Sequence, residues 1–475
     1  MRHISVDTVI IGAGTAGMQA YKAAVENNAD TIIIEQGPLG PTSINSGCVP
    51  SQLLHEMGRQ YSANSTPMLT MTLYGKSPDK HLDRSDILNT VRNEKRAFLD
   101  QYIKEFYTIP EDCRIMGKAF FVDPYTVAIE GTDTTISARS FVIATGSKPY
   151  VPANLKKIGN KIITSDELFE LKELPKSIAI FGTGSIGLEL GEYLTRLNVK
   201  TAIFGMGEIG HLTDPKVASA ALNAIRERVF IVPYGHFTTI EQNNDSVVIY
   251  YLDESEHECY LKVDCVLCAT GRIPNLDGLQ LETAGIQLDS MNCAYCNEKT
   301  LQTSVPHIFI AGDTTSTRNN LQKALYQGKI AGSNAATYPR ITQTCDMPHQ
   351  DITFTDPEIT VTGLSFEEVK QRARCGHKFI LGESSTANNT TSVIKGYKHG
   401  LVHVYFDRET QMLLGAEICA PYAQQMSQFI YSALFNRQTL DDLIGYNFYH
   451  PSAFEMLTEA FEDAKKSFKL FEPVI

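Results

Sequence analysis

The apolar residues of this chain fall in short runs of strand length rather than in long ones. Val6–Ile11 is a β-rich run that stops at Gly12-Ala13-Gly14-Thr15-Ala16-Gly17. An Ala-rich helical stretch follows through Val25, then a second apolar strand, Thr31–Ile34, ending in Glu35. The order strand, glycine turn, helix, strand, acid is that of a dinucleotide-binding βαβ unit. One glycine makes the tight turn, one admits a pyrophosphate, and one lets helix and strand pack closely. The helix N-terminus offers unpaired N–H groups to the phosphates.

The pattern returns about 170 residues later. Ser177–Phe181 predicts a strand, Gly182-Thr183-Gly184-Ser185-Ile186-Gly187 a second turn, Leu188–Leu197 a helix and Val199–Phe204 the next strand. Two such units imply two dinucleotides. Phe141–Gly146 and Cys265–Gly271 are apolar runs ending in Ala-Thr-Gly, and His307–Asp313 is a third apolar run, ending in Gly-Asp. After about residue 340 the texture changes to a charged helix over Glu367–Arg374 and a hairpin over Gly400–Glu417. Residues 60–80 read as a polar loop.

Composition sets bounds on this picture. A chain of 475 residues with 43% hydrophobic positions can bury several cores. A net charge of −12 gives no electrostatic footprint for nucleic acid. The N-terminus enters a strand at once and no apolar run reaches spanning length, so the expectation is a cytoplasmic protein without a membrane span. Ten scattered cysteines suggest free thiols rather than a disulfide framework. Cys265/Cys268 and Cys293/Cys296 have pair spacing. Small buried or half-buried side chains explain both better than a metal does, so no metal site is expected.

Residues 40–52 carry the chemistry: GPTSINSGCVPSQ. With the two glycine turns, the Ala-Thr-Gly strands, ITFTDPEITVTG at 352–363 and Tyr449-His450-Pro451-Ser452-Ala453-Phe454-Glu455, this segment resembles the FAD-dependent pyridine nucleotide–disulfide oxidoreductases, the family of dihydrolipoamide dehydrogenase, glutathione reductase and mercuric reductase. The resemblance runs from Val6 to Glu455. It implies an α/β fold of two Rossmann-like domains plus a C-terminal α+β dimerisation domain. The expected division is 1–150 with 275–340 for FAD, 151–274 for NAD(P) and 341–475 for the interface. It implies an FAD set of Gly12, Gly14, Gly17, Glu35, Gly117, Thr145, Gly146 and Asp313. It implies a nicotinamide nucleotide set of Gly182, Gly184, Gly187, Glu189 and Gly271. It also implies a homodimer in which His450, oriented by Glu455, serves the partner's site as acid–base.

The family's redox segment is Cys-x4-Cys, then a hydrophobic residue, Pro, Ser or Thr, and Lys. Here Cys48 matches the second cysteine, Ser43 stands at the first, and Gln52 stands at the lysine. A serine cannot exchange with a disulfide, and one thiol cannot resolve the mixed disulfide it forms. Cys48 precedes a helical segment near Pro50–Leu54, which is expected to lower its pKa. Losing the lysine should leave Glu189 without a counter-ion. The second nucleotide unit has Gly205 where an acid would hold the NAD ribose, and no basic residue follows before His211, which favours NADH over NADPH. The expected function is an FAD-dependent NAD(P)H oxidoreductase with catalytic Cys48, His450 and Glu455, passing electrons to a disulfide, a quinone or another small acceptor. A persulfide or thiol-conjugate reductase and a redox-degenerate flavoprotein scaffold are the alternatives.

Overall fold

The computed structural model describes residues 2–64, 84–232, 237–243, 245–253, 255–290, 292–315, 320–345 and 347–470. Arg2–Ile11 forms the centre of a seven-stranded sheet, parallel to Thr31–Glu35 on one side and to Thr134–Ile143 on the other. Arg114–Met116 extends the first edge, Ile308–Ile310 pairs parallel with Thr134–Ile143, and the hairpin Ala119–Asp123/Thr126–Ile129 joins antiparallel. Val9, Ile10, Ile11, Ile32, Ile33 and Ile34 are all buried. A parallel sheet covered on both faces needs such unbroken apolar runs.

The second sheet repeats the plan with five parallel strands, in the order Phe230–Val232, Lys200–Phe204, Ser177–Phe181, Cys265–Cys268, Ile162–Thr164. A three-stranded antiparallel sheet, Phe237–Asn243, Ser246–Leu252 and Glu258–Val263, adjoins it. The third unit is a five-stranded antiparallel sheet, in the order Gln350–Thr353, Glu358–Gly363, Leu413–Ala420, Leu401–Asp407, Phe379–Ser385. Helices Ala423–Phe435 and Glu455–Leu470 share its core. The whole is α/β with a C-terminal α+β unit, as the periodicity and the resemblance predict.

Two glycine positions show why the sequence turns where it does. Gly12 has φ +101, and a Cβ there would lie 2.4 Å from the Ala144 carbonyl oxygen. Gly182 has φ +126, with its missing Cβ 2.1 Å from the Ala269 carbonyl oxygen. Both the backbone angle and the close approach therefore require glycine. The equivalence reaches the next glycine, since Gly14 and Gly184 precede their helices with φ −71 and −73.

The units are tied by buried charge. Arg196 on the helix Ser185–Arg196 donates to Glu192 at 2.5 Å and to Asp356 at 2.8 Å, and Tyr397 donates to Asp356 at 2.5 Å. Buried His403 stands between Asp214 at 2.7 Å and Glu383 at 2.9 Å. The second unit thereby grips the third at two places.

Several local expectations change. The strand predicted from Val6 begins at Arg2, because Arg2–Val6 pair with Thr134–Ala138. The helix expected near Pro50 begins at Cys48 and runs to Asn64. Residues 60–64 of the expected polar loop are thus helical, and residues 65–80 lie outside the described residues. The long helix Arg84–Tyr107 has no counterpart in the sequence reading.

Candidate active site

The redox segment forms a short helical turn, Thr42–Asn45, and then the helix Cys48–Asn64. That helix packs on Ser185–Arg196, where the His55 ring meets Tyr193 edge-on at 4.6 Å. Tyr193 in turn donates to the Phe354 carbonyl at 2.6 Å. Elements of all three units therefore converge beside Cys48.

Two cavities share the walls Gly14, Pro41, Thr42, Ser46, Ala144 and Gly146. The larger, about 1090 Å³, is lined by Gly12, Glu35, Gly117, Thr145 and Gly146 among others. The smaller, about 530 Å³, is lined by Ser43, Cys48, Ser51, Gln52, Glu189 and Asp313 among others. Gly17 packs under the first turn, its missing Cβ 1.8 Å from the Gly12 carbonyl oxygen.

The first cavity fits a dinucleotide. No described residue lies within 4 Å of where a Gly14 Cβ would sit, so a phosphate can approach its backbone from that side. Among the described residues the buried Thr145 hydroxyl has no hydrogen-bond partner, and Thr145 lines that same space. Glu35 accepts from the N–H groups of Ala13 and Gly37, each at 2.7 Å, which fixes its carboxylate at the rim. Asp313 accepts from the Ser147 hydroxyl at 2.9 Å, and the Gly146 N–H donates to Thr314 at 2.8 Å.

In the second cavity the Cys48 Sγ lies 3.7 Å from the Ser43 carbonyl oxygen. The expected lowering of the Cys48 pKa does not occur. Partial burial pushes the thiol up, the N–H groups of Cys48 and Val49 pull it down, and the nearby Glu189 charge pushes it up again. The net direction is upward, because the helix N-terminus is outweighed by burial and a like charge.

Glu189 meets the expectation for a lost lysine. It accepts from the Ser51 hydroxyl at 3.1 Å and from the Phe354 N–H at 3.0 Å, and among the described residues no cation pairs with it. Burial lifts its pKa to about 7, and the two hydrogen bonds restrain it only in part. Of the ten cysteines, Cys48 alone lines either cavity. Cys293 is buried and Cys296 packs among the core residues of the first sheet. Cys265 and Cys268 lie on a core strand, the former pushed up to about 12 by burial.

His450 and Glu455 are together, Nδ1 to Oε1 at 2.8 Å, with the Ser452 N–H donating to the same carboxylate at 2.9 Å. They line neither cavity of their own chain. Gly182, Gly184 and Gly187 form the second glycine turn, which packs on Ala269 just before Gly271, and its neighbours Ser185 and Ile186 reach the smaller cavity. Sequence reasoning missed three contributors: Ser51, Phe354 and the salt-linked set Arg272, Asp166 and Ser147. Arg272 directly follows the Ala-Thr-Gly turn, so its position alone was the available signal.

The chain belongs to the pyridine nucleotide–disulphide oxidoreductases: that family's model matches residues 6–328, and the model of its dimerisation domain matches 349–461. Its members are FAD-dependent oxidoreductases that use pyridine nucleotides, and this chain is one of them. It is 30% identical to the mercuric reductase of Staphylococcus aureus over 447 residues, covering 92% of this chain and 78% of that protein. It is 27% identical to the dihydrolipoyl dehydrogenase of Geobacillus stearothermophilus over 473 residues, covering 97% and 96%. A solved structure of the HOCl-induced flavoprotein disulfide reductase RclA from Escherichia coli superposes with a TM-score of 0.79 at 22% identity, covering 98% of this chain and 100% of that one. No helix among the described residues is long and apolar enough to cross a membrane.

Proposed function

We propose that this chain is an FAD-dependent NAD(P)H oxidoreductase whose site holds a single thiol. The observation that supports this most is that Cys48 alone among the cysteines lines the cavities, with Ser43 beside it where the family holds a second sulfur. Thiol–disulfide exchange needs a second thiol to release the product. The acceptor is therefore a small molecule reduced without disulfide exchange, such as a quinone, rather than lipoamide.

Bound in the first cavity, FAD supplies the two-electron chemistry that links nucleotide to acceptor. The chain's residues do the rest. Gly12, Gly14, Glu35, Gly117, Thr145 and Gly146 hold the cofactor there, and Asp313 does so from the wall of the adjoining smaller cavity. Glu189 carries a proton near neutrality beside Ser51, and Cys48 keeps its thiol protonated. NADH is favoured, because the Lys200–Phe204 strand ends at Gly205 and the positions up to Gly210 carry no cation for a 2′-phosphate.

The division 1–150 with 275–340, 151–274 and 341–475 assigns FAD, nucleotide and interface roles. The dimerisation domain implies a homodimer in which His450, held by Glu455, faces the other copy's cavity. A second reading, reduction of a persulfide, is favoured by the opening of Cys48 onto the cavity, since that chemistry needs one sulfur only. Anaerobic mixing with NADH and NADPH tests the proposal: prompt bleaching by NADH with turnover of a quinone supports it. Silence with both nucleotides would indicate a scaffold.

A further inference from the structure

The two glycine turns are equivalent in backbone yet differ in one respect. Among the described residues, nothing lies within 4 Å of the point where a Cβ of Gly14 would sit. At the same point of Gly184 stands the His211 ring, with Nε2 at 3.7 Å and Cε1 at 3.8 Å. His211 lines the smaller cavity together with Ser185, Ile186 and Glu189. Its φ of +64 lies in the left-handed region that L side chains seldom adopt.

That conformation is anchored on both sides. The Gly210 N–H donates to the Thr183 carbonyl, inside the turn itself, at 2.9 Å. The N–H groups of Thr213 and Asp214 donate to buried Glu417 at 2.9 and 2.8 Å, and the Thr213 hydroxyl donates to it at 2.6 Å. Strain at a residue held by such anchors is a mark of functional placement.

We infer that His211 is a nucleotide-binding residue: its imidazole N–H donates to the pyrophosphate of the nicotinamide nucleotide seated on the Gly182–Gly187 turn. The inference rests on the reading that this turn takes the nucleotide. A phosphate on the turn is approached by backbone N–H groups from the helix and by the ring from the facing side. Among the described residues the first unit has no such ring, so its turn relies on backbone and helix. The contact is with the pyrophosphate, common to NADH and NADPH, and does not discriminate between them.

The test is calorimetric titration of the FAD-loaded protein with ADP-ribose and with 2′-phospho-ADP-ribose. His211→Gly accepts the positive φ and removes the ring. It should weaken both ligands roughly tenfold, as for a lost hydrogen bond to a charged group, and leave their affinity ratio unchanged. His211→Arg should recover most of the loss. Flavin content and thermal midpoint check that the variants are folded. Equal binding by parent and His211→Gly would overturn the inference alone. Tighter binding by His211→Gly would show that the ring obstructs the turn, and a changed ratio would place the contact on the 2′-phosphate; either overturns it. If the parent binds neither ligand, the nucleotide reading falls as well.

Discussion

The Ser51 hydroxyl donates to Glu189 Oε2 at 3.1 Å, joining the Cys48–Asn64 helix to the Ser185–Arg196 helix across the wall of the smaller cavity. The carboxyl it holds has no cation among the described residues and is lifted to about 7 by burial. Its unfolded value is 4.5, so the folded state binds more protons between these values. Stability contributed by the neutral carboxyl is present at low pH and is lost as pH rises from about 4.5 to about 7.

Glu189→Gln should therefore gain stability over the parent as the solution becomes more alkaline. The gain from pH ~5.5 to pH ~8 should be about 2 kcal/mol. Paired thermal midpoints across that range read it. A gap that stays constant with pH would mean that Glu189 titrates as an ordinary carboxylate.

Asp356 behaves in the opposite sense. Burial raises its pKa, but Tyr397, Arg228 and Arg196 outweigh burial and hold it below its ordinary value. Its contribution is present at neutral pH and is lost as pH falls through that lowered value. Asp356→Asn should cost about 1–2 kcal/mol at pH ~7, because it removes one of the two carboxylates that Arg196 and Arg228 share and leaves Glu192 as their anionic partner. The thermal midpoint should drop by several degrees, and the loss should shrink toward pH ~3.

The dimer has a direct probe. Tyr449, beside His450, is 87% exposed in the single chain. Light scattering should give about twice 52.6 kDa, and Tyr449→Glu should shift the protein toward monomer. A parent that is monomeric at micromolar concentration would contradict the assignment of His450 to a neighbouring site.

What the sequence shows and what it hides follow from range. The strands and both glycine turns were legible because periodicity and backbone demands are local: Gly12 and Gly182 can be nothing else. Asp313 and Glu189 were legible only through the resemblance. The raised Cys48 pKa was not legible, because it depends on burial and on Glu189, which is 141 positions away in the chain. Phe354 and His211 reach the cavity through tertiary packing that no local pattern encodes. The Arg84–Tyr107 helix was missed although Asp86 near its start and Lys104 near its end sit where a helix favours those charges.

Ser43→Cys probes the missing sulfur by restoring the Cys-x4-Cys pair. It should confer lipoamide turnover with NADH that the parent lacks, while quinone turnover changes little. Cys48→Ser in the parent should leave quinone turnover largely intact. Steady-state rates with both acceptors decide. Brisk lipoamide turnover by the parent would show that another thiol reaches Cys48.

The most direct test of a one-thiol site is the electron capacity of the purified protein under anaerobic dithionite titration. A flavin alone takes about two electrons, and a flavin with a redox-active disulfide takes about four. The parent should be fully reduced at about two electrons per flavin, and Ser43→Cys at about four. A parent that consumes about four would contradict the single-cysteine account.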